Sequence, residues 1–348
     1  MKVFQFSELS KGVSLSATID DVGGKGLSLL QMSRLGVPVP PGFIVPVTAC
    51  RAYLETGVLP DDFDRAIKNG LRHIEQKTGR TFGGVDKPLL VSVRSGASVS
   101  MPGMMDTVLN VGLLRSNLDG LRAIGRGNNF ALDSYRRLQE LHCEAASASD
   151  ALRLSAIRTE VIDAAGVSSA GALAEDWLEG LTHAYDKELA ELGRPLPEDP
   201  YVQLRDSIIN VFRSWNNRRA KQYRRAHGIS DNLGTAVTVQ AMVFGNLDEQ
   251  SGTGVAFTRD PNTGEASILG EYLPVAQGED VVSGRFTPQD LRSTDGGFKQ
   301  RHPDLFLELK SIGARLERHF KCVQDLEFTV ESGKLWMLQT REAKLSGM

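Results

Sequence analysis

The chain has 348 residues, a formal net charge of −3, 41% hydrophobic and 24% charged residues, and 35 glycines; its length calls for about two domains at ~150 residues each, and its composition excludes disorder and collagen. The near-neutral charge gives no electrostatic reason to bind nucleic acid or an anionic membrane, and Cys50, Cys143 and Cys322 are too scattered for a disulfide framework or a zinc site. No stretch approaches the ~20 consecutive apolar residues of a membrane span and Met1 to Gly12 has no signal-peptide core, so a reducing cytoplasm is the expected home.

From Val22 to Gly36 the sequence predicts a double-glycine turn, then a helix carrying Leu27, Leu30 and Leu35, stopped at Gly36. At the helix start, Gly23-Gly24-Lys25-Gly26 offers backbone N–H groups, the positive helix end and an ammonium, which together suit a polyphosphate. It is not a Walker A loop, and on its own it also fits an ordinary turn. Leu89, Val91 and Val93 alternate as in a strand, placing Arg94 at its end before the small-residue loop Ser95 to Pro102. Arg94 there suits an anion or a surface ion pair, and the methionines of Met101 to Met105 suit gap-filling.

Between Leu114 and Arg225 the dominance of Ala, Leu, Glu and Arg predicts a mostly helical section, with Gly193 to Pro200 as a linker-like stretch. Thr238 to Gly245 alternates again and leads into Ser251-Gly252-Thr253-Gly254. That segment reads as a flexible phosphate-covering flap or as a plain turn. It is not a dinucleotide fingerprint, since Val255, Ala256 and Phe257 follow with no third glycine.

The C-terminal run carries the strongest pattern. Gln324 to Val330 and Lys334 to Arg341 alternate on either side of Glu331-Ser332-Gly333, which predicts a hairpin with a three-residue loop closed by Gly333 in the left-handed region. In that register Val330 faces Lys334 and Asp325 faces Gln339. Leu326, Phe328, Val330, Trp336 and Leu338 then share a core face. The other face holds Asp325, Glu327, Gln339 and Arg341, two carboxylates and an amide oxygen suited to Mg²⁺ beside a guanidinium suited to phosphate. Leu335 and Met337 fall on that polar face, which implies an apolar cover such as an adenine ring. A half-buried hairpin with one wet face is the other reading.

Taken in order, Gly23 to Gly26 through Pro40-Pro41-Gly42-Phe43, Val91 to Ala97, Met101 to Asn110, Val239 to Gly264, Gln277-Gly278-Glu279-Asp280 and Gln324 to Arg341 resemble the nucleotide-binding part of the pyruvate phosphate dikinase family. The resemblance implies an α/β (α+β) ATP-grasp fold of two lobes clamping ATP, with a helical insert. The first lobe is expected at residues 1–114 and 200–243, the insert at 115–199, and the second lobe at 244–348. Carried over by position, it implies that Lys25 and Arg94 touch ATP phosphates, that Thr253 and Gly254 form the flap, and that Asp325, Glu327 and Gln339 surround Mg²⁺. Arg341 would hold phosphoryl oxygens, and Arg136, Glu279 and Asp280 would lie near the terminal phosphate or inorganic phosphate. The backbone from Gln240 through Met242 to Val243 would meet the adenine.

The implied reaction moves the β,γ phosphates of ATP to a histidine on a separate domain or partner and then a phosphoryl group to inorganic phosphate, with Lys25, Arg94, Arg341 and the metal as the working charges. The family's acceptor-histidine motif and its pyruvate-binding barrel are not in this sequence, and His183 is only a superficial echo of the acceptor. An excised domain and a stand-alone protein are both consistent with that. The alternative function is a non-catalytic ATP-binding or regulatory module.

Overall fold

The computed structural model describes residues 1–7, 17–125, 128–282 and 287–344. The chain divides into two compact units, one from Met1–Gln5, Ala17–Gly26 and Pro41–Met242, the other chiefly from Leu27–Pro40 and the chain from Val243 onward. No helix among the described residues is long and apolar enough to cross a membrane.

The first unit is a sheet covered by helices. In chain order it comprises β1 (Phe4–Phe6), the start of α1 (Ile19–Arg34), β2 (Gly42–Val45), α2 (Val47–Thr56), α3 (Phe63–Thr78), the parallel pair β3 (Thr81–Phe82) and β4 (Pro88–Leu89), β5 (Val91–Gly96) and β6 (Thr107–Val111). There follow α4 (Leu118–Ile124), α5 (Asn128–Ala146), α6 (Ala148–Ala165), α7 (Glu175–Glu191), α8 (Pro200–Ser214), α9 (Arg218–Ala226) and β7 (Ala236–Ala241). The sheet order is β1-β2-β7-β5-β6, and β7 runs antiparallel to both of its neighbours.

β7 is buried at all six positions. The alternation expected over Thr238 to Gly245 is therefore not that of a half-exposed strand, and the strand starts and stops earlier than the pattern suggested. Helix α8 shows why the sheet is covered. Asp199 accepts from the Tyr201 N–H at 2.8 Å, Pro200 opens the first turn, and Leu204, Ile208, Val211 and Phe212 form one fully buried stripe. The section expected to be helical is occupied by α4 to α9.

The second unit continues with β8 (Gly252–Phe257), β9 (Leu269–Pro274), α10 (Gly278–Val282), β10 (Gln289–Asp290), α11 (Phe298–Arg301), α12 (Pro303–Phe320), β11 (Gln324–Glu331) and β12 (Lys334–Glu342). These strands make an antiparallel sheet in the order β10-β9-β8-β11-β12. Helix α12 buries Phe306, Leu309, Ile312 and Leu316 on the sheet face that carries Leu326 and Phe328. Tyr272, Phe298 and Phe328 meet there with ring centroids 5.0 and 5.1 Å apart for the pairs through Phe298. Burying each such ring stabilises the fold by about 1.5–3 kcal/mol. The molecule is thus mixed α and β with antiparallel sheets.

The β11–β12 hairpin corrects the expected register in two places. Its turn has two residues, Ser332 and Gly333, with φ of 48° and 76°, so Glu331 pairs with Lys334 and joins the strand. The left-handed Ser332 is held by neighbours distant in sequence: its N–H donates to Ser251 Oγ at 2.9 Å and its hydroxyl to Asp248 at 2.5 Å. Farther down, Phe328 pairs with Met337 but Glu327 with Gln339, leaving Leu338 as an extra residue in a bulge. Leu335 and Met337 consequently join Phe328 and Val330 in the core, while Trp336 and Leu338 are half-buried. The assignment of Leu335 and Met337 to the polar face was wrong because one residue of register exchanges the two faces of a strand.

Candidate functional site

In the first unit the basic groups are brought together by glycine. Gly23 breaks α1 with φ of 67°, and a Cβ there would fall 1.7 Å from the Gly96 carbonyl oxygen. Only glycine lets the start of α1 lie against the end of β5 in this way. Gly24 seals the approach by donating to the Ala97 carbonyl at 2.9 Å. Lys25 follows at once, its Cβ 3.5 Å from where a Cβ on Gly96 would stand.

Arg94 lies inside β5, two residues before its end, and its guanidinium donates to Gln240 Oε1 across β7. Gln240 is buried and thus acts through its side chain as the positioner of Arg94. The Met242 N–H is committed to the Leu90 carbonyl at 2.9 Å. Lys25, Arg94 and Gln240 are therefore gathered at one corner of the sheet.

Arg136 lies in α5. Its guanidinium is buried within the helical layer, 2.6 Å from Asp133 and 2.8 Å from Glu140, with Arg158 also on Glu140 at 2.9 Å. Burial alone would raise the Asp133 carboxyl, but Arg136 and Arg137 outweigh it and hold it at about 2. Burial likewise opposes ionisation of Glu140, and Arg136 with Arg158 reverses the balance to lower it. Arg136 is thus held by two carboxylates of its own helix. Its neighbour Arg137, held by Asp133 Oδ2 at 2.8 Å, is the less buried of the two. Nothing in the spacing Asp133-Ser134-Tyr135-Arg136-Arg137 separates the two arginines; only the packing of α5 does.

In the second unit Thr253 and Gly254 lie in β8, a central strand paired on both sides, which replaces the expected mobile flap. A Cβ at Gly252 would fall 2.0 Å from the Tyr272 hydroxyl and one at Gly254 2.5 Å from Phe328 Cζ, so these glycines serve close packing and not freedom to move. Thr253 donates to the Phe328 carbonyl at 3.1 Å. The start of α10 lies beside it, the Gly278 Cβ position being 3.9 Å from Thr253 Oγ1. Asp280, nearly buried, accepts from the Gln277 N–H at 2.9 Å. Glu279 belongs to α10, but its side chain lies outside the described residues. Val243 belongs to the second unit, and Met242 closes the first.

The hairpin keeps its four polar residues on one face despite the shifted register, because the bulge restores the parity the shorter turn removes. Asp325 pairs with Arg341 and Glu327 with Gln339. Asp325 Oδ2 accepts from Arg341 Nε at 2.7 Å, and Glu327 Oε1 accepts from Gln339 Nε2 at 3.2 Å. Half-buried Trp336, opposite Thr329, shares this face, a consequence visible only once the bulge is known.

The donor set fits Mg²⁺. It offers two carboxylates two residues apart on one strand, each with a second oxygen outside these bonds, and an amide that presents Oε1 once it turns about its last torsion. Among the described residues no three His, Cys, Asp or Glu side chains converge on a metal-sized space. A cation here would accordingly take its remaining ligands from water and from phosphate oxygens, as Mg²⁺ commonly does.

Comparison with known proteins follows the same segments. A family described as pyruvate phosphate dikinase, AMP/ATP-binding domain, matches residues 19–69, 56–304 and 299–347. The pyruvate, phosphate dikinase of Rhizobium meliloti is 45% identical over 335 residues, covering 93% of this chain and 37% of the relative. That of Giardia intestinalis is 44% identical over 332 residues, 94% of this chain and 37% of the relative. The chloroplastic pyruvate, phosphate dikinase 1 of Zea mays is 42% identical over 348 residues, 99% of this chain and 36% of the relative. The chain spans a little over a third of the length of the curated relatives it matches.

Proposed function

The chain belongs to the pyruvate phosphate dikinase AMP/ATP-binding-domain family, and from that premise we propose that it is an ATP-grasp domain that binds Mg-ATP and donates its β,γ phosphates to a histidine on a separate domain or partner. The observation that carries the reading is the hairpin face, where Asp325, Glu327, Gln339 and Arg341 stand together in adjacent pairs. A wet surface needs no such set of hard oxygen donors beside a guanidinium.

In the proposed reaction the imidazole nitrogen attacks the β phosphorus, the bond to the oxygen bridging α and β breaks, and AMP leaves. Inorganic phosphate then takes the terminal phosphoryl group as pyrophosphate, leaving phosphohistidine. Lys25 and Arg94 hold the phosphate chain, with Gln240 fixing the Arg94 guanidinium. Asp325, Glu327 and Gln339 would hold Mg²⁺, which when bound neutralises charge on the β and γ oxygens. Arg341 pivots from Asp325 onto phosphoryl oxygens. Thr253, Gly254, Glu279 and Asp280 line the region where the terminal phosphate or inorganic phosphate would lie, and the backbone from Gln240 to Val243 meets the adenine. Catalysis by such a chain is positioning and charge neutralisation, with no protein nucleophile of its own.

The test is AMP release from Mg-ATP with inorganic phosphate present, at rising concentrations of a separately expressed histidine domain from a matching dikinase. Alone, the chain should turn ATP over slowly; AMP formation should rise with the histidine domain and saturate, and Lys25→Ala should abolish the rise. Separate expression loses an effective concentration on the order of millimolar, so the titration must reach that range. Normal ATP binding with no added AMP formation at millimolar partner would overturn the catalytic reading in favour of a regulatory ATP-binding module.

A further inference from the structure

Beyond the ATP reading and independent of it, we propose that the second unit has an anion-binding cavity for a small phosphomonoester with a compact apolar body, built between α12 and the strand ends on the helix side of the sheet. The cavity measures about 620 Å³, within the ~300–1,000 Å³ of small-molecule sites. Its helix wall is one stripe of α12, in which Lys310, Ala314, Glu317 and Arg318 follow at helical spacing, continued by Lys321 at the left-handed cap that ends the helix. The opposite wall comes from Thr258, Arg259, Ala266 and Ile268, with Cys322 and Val323 between.

The charge balance is one-sided. The sole carboxylate of the lining, Glu317, is neutralised by Arg259 Nε at 2.6 Å. Lys310, Arg318 and Lys321 then remain, and their side chains make no ion pair or hydrogen bond among the described residues. Lys310, Arg318 and Lys321, set against Glu342 as the further carboxylate that acts on Cys322, leave the concavity with an excess of positive charge that favours an anion. The stripe is open to water at Lys310, Ala314, Arg318 and Lys321, and half-buried Val323 beside the edge of Ile268 gives an apolar surface opposite the charges.

The walls are also fixed in place. Gln324 N–H donates to Thr258 Oγ1 and Thr258 N–H to the Gln324 carbonyl, both at 3.0 Å. Gly313 brings α12 so close that a Cβ there would lie 3.1 Å from Thr258 Cγ2. Thr258 continues the face of Ala256 and Leu326, so the cavity lies across the sheet from Asp325 and Glu327. The two sites can be tested separately.

Cys322 reports on the cavity directly. It is half-buried, whereas Cys50 and Cys143 are buried and should react only if the chain unfolds. We would measure alkylation of Cys322 by iodoacetamide, peptide by peptide, on the full chain without Mg²⁺, adding phenyl phosphate up to about 10 mM at constant ionic strength. Phenyl phosphate should slow Cys322 at least about threefold and saturably, as expected when the ligand exceeds its dissociation constant a few-fold. Inorganic phosphate should protect less, and neutral benzyl alcohol not at all. The protection should vanish in Lys310→Glu/Arg318→Glu with Cys50 and Cys143 still unlabelled, and persist in Lys25→Ala, which weakens only the ATP reading. Calorimetry on Ala314→Phe, which places a ring at the helix wall without touching a charge, should show phenyl phosphate binding weakened. No saturable protection, equal protection by benzyl alcohol, or protection surviving the double charge reversal would each overturn the proposal.

Discussion

Two clusters in this molecule are built from the same ingredients and differ in what they can do. In α5, Arg136 meets Asp133 at 2.6 Å; in the hairpin, Arg341 meets Asp325 at 2.7 Å. The first pair has side-chain exposures of 6% and 9%, and the network closes on itself through Glu140, Arg137 and Arg158. In the second pair the arginine is 44% exposed, and each carboxylate of the face makes one bond within it. Composition and distance do not separate the closed network from the proposed binding face; burial of the arginine and the unused bonding capacity do.

The largest expected effect breaks the buried side of that comparison. Arg136→Ala leaves Asp133 and Glu140 in the helical layer without their main cation, and stability should fall by about 3–5 kcal/mol, as when one partner of a buried ion pair is removed. Urea unfolding measures it, and a loss under about 1 kcal/mol would mean that water enters the layer freely. Acid addresses the same network without mutation. The folded Asp133 value of about 2 lies below its ordinary value of 3.8, so its contribution is complete above pH ~4 and is lost as pH falls through ~2, worth about 2 kcal/mol at 1.36 kcal/mol per unit. Stability measured from pH 5 to pH 2 should therefore drop more steeply in the parent than in Asp133→Asn.

The binding side predicts the reverse pattern. Asp325→Ala and Glu327→Ala remove no core, so the melting temperature without nucleotide should hardly move, while Mg-dependent ATP affinity measured by calorimetry should fall tenfold or more, about 1.4 kcal/mol. Wild-type affinity in both variants would sink the metal assignment.

The contrast also explains what the sequence could and could not say. Alternation in Gln324 to Val330 and Lys334 to Arg341 was enough to identify both strands and to put Asp325, Glu327, Gln339 and Arg341 on one face. The turn was misread because left-handed Ser332 is stabilised by Asp248 and Ser251, some eighty residues away. The bulge at Leu338 left no signal, so Leu335 and Met337 were put on the wrong face. Glycines at Gly252 and Gly254 suggested mobility when their neighbours, Tyr272 and Phe328, demanded closeness. Helical composition announced α5, but which of Arg136 and Arg137 turns inward depends on the elements that cover it, including α6, α7 and α8. In each case the missing information was a contact distant in sequence.

The smallest expected effect makes the comparison sharpest. Arg341→Gln breaks an Arg–Asp contact as short as the one in α5, yet its arginine is nearly half in water. Water already solvates much of that guanidinium in the folded state, and although the Asp325 side chain is only 13% exposed, removing the arginine above it opens it to water, so the desolvation penalty is smaller than at Arg136. Exposed pairs of this kind contribute about 0–1 kcal/mol, and the unfolding midpoint in urea should shift correspondingly little, less still in 0.5 M salt on the order of which exposed pairs are screened. Ligand binding should respond more than stability does: if Arg341 leaves Asp325 for a phosphoryl oxygen, the variant should lose Mg-ATP affinity that neither its stability nor its apo structure accounts for. A stability loss rivalling that of Arg136→Ala, with ATP affinity intact, would make the hairpin pair structural and erase the distinction between the two clusters.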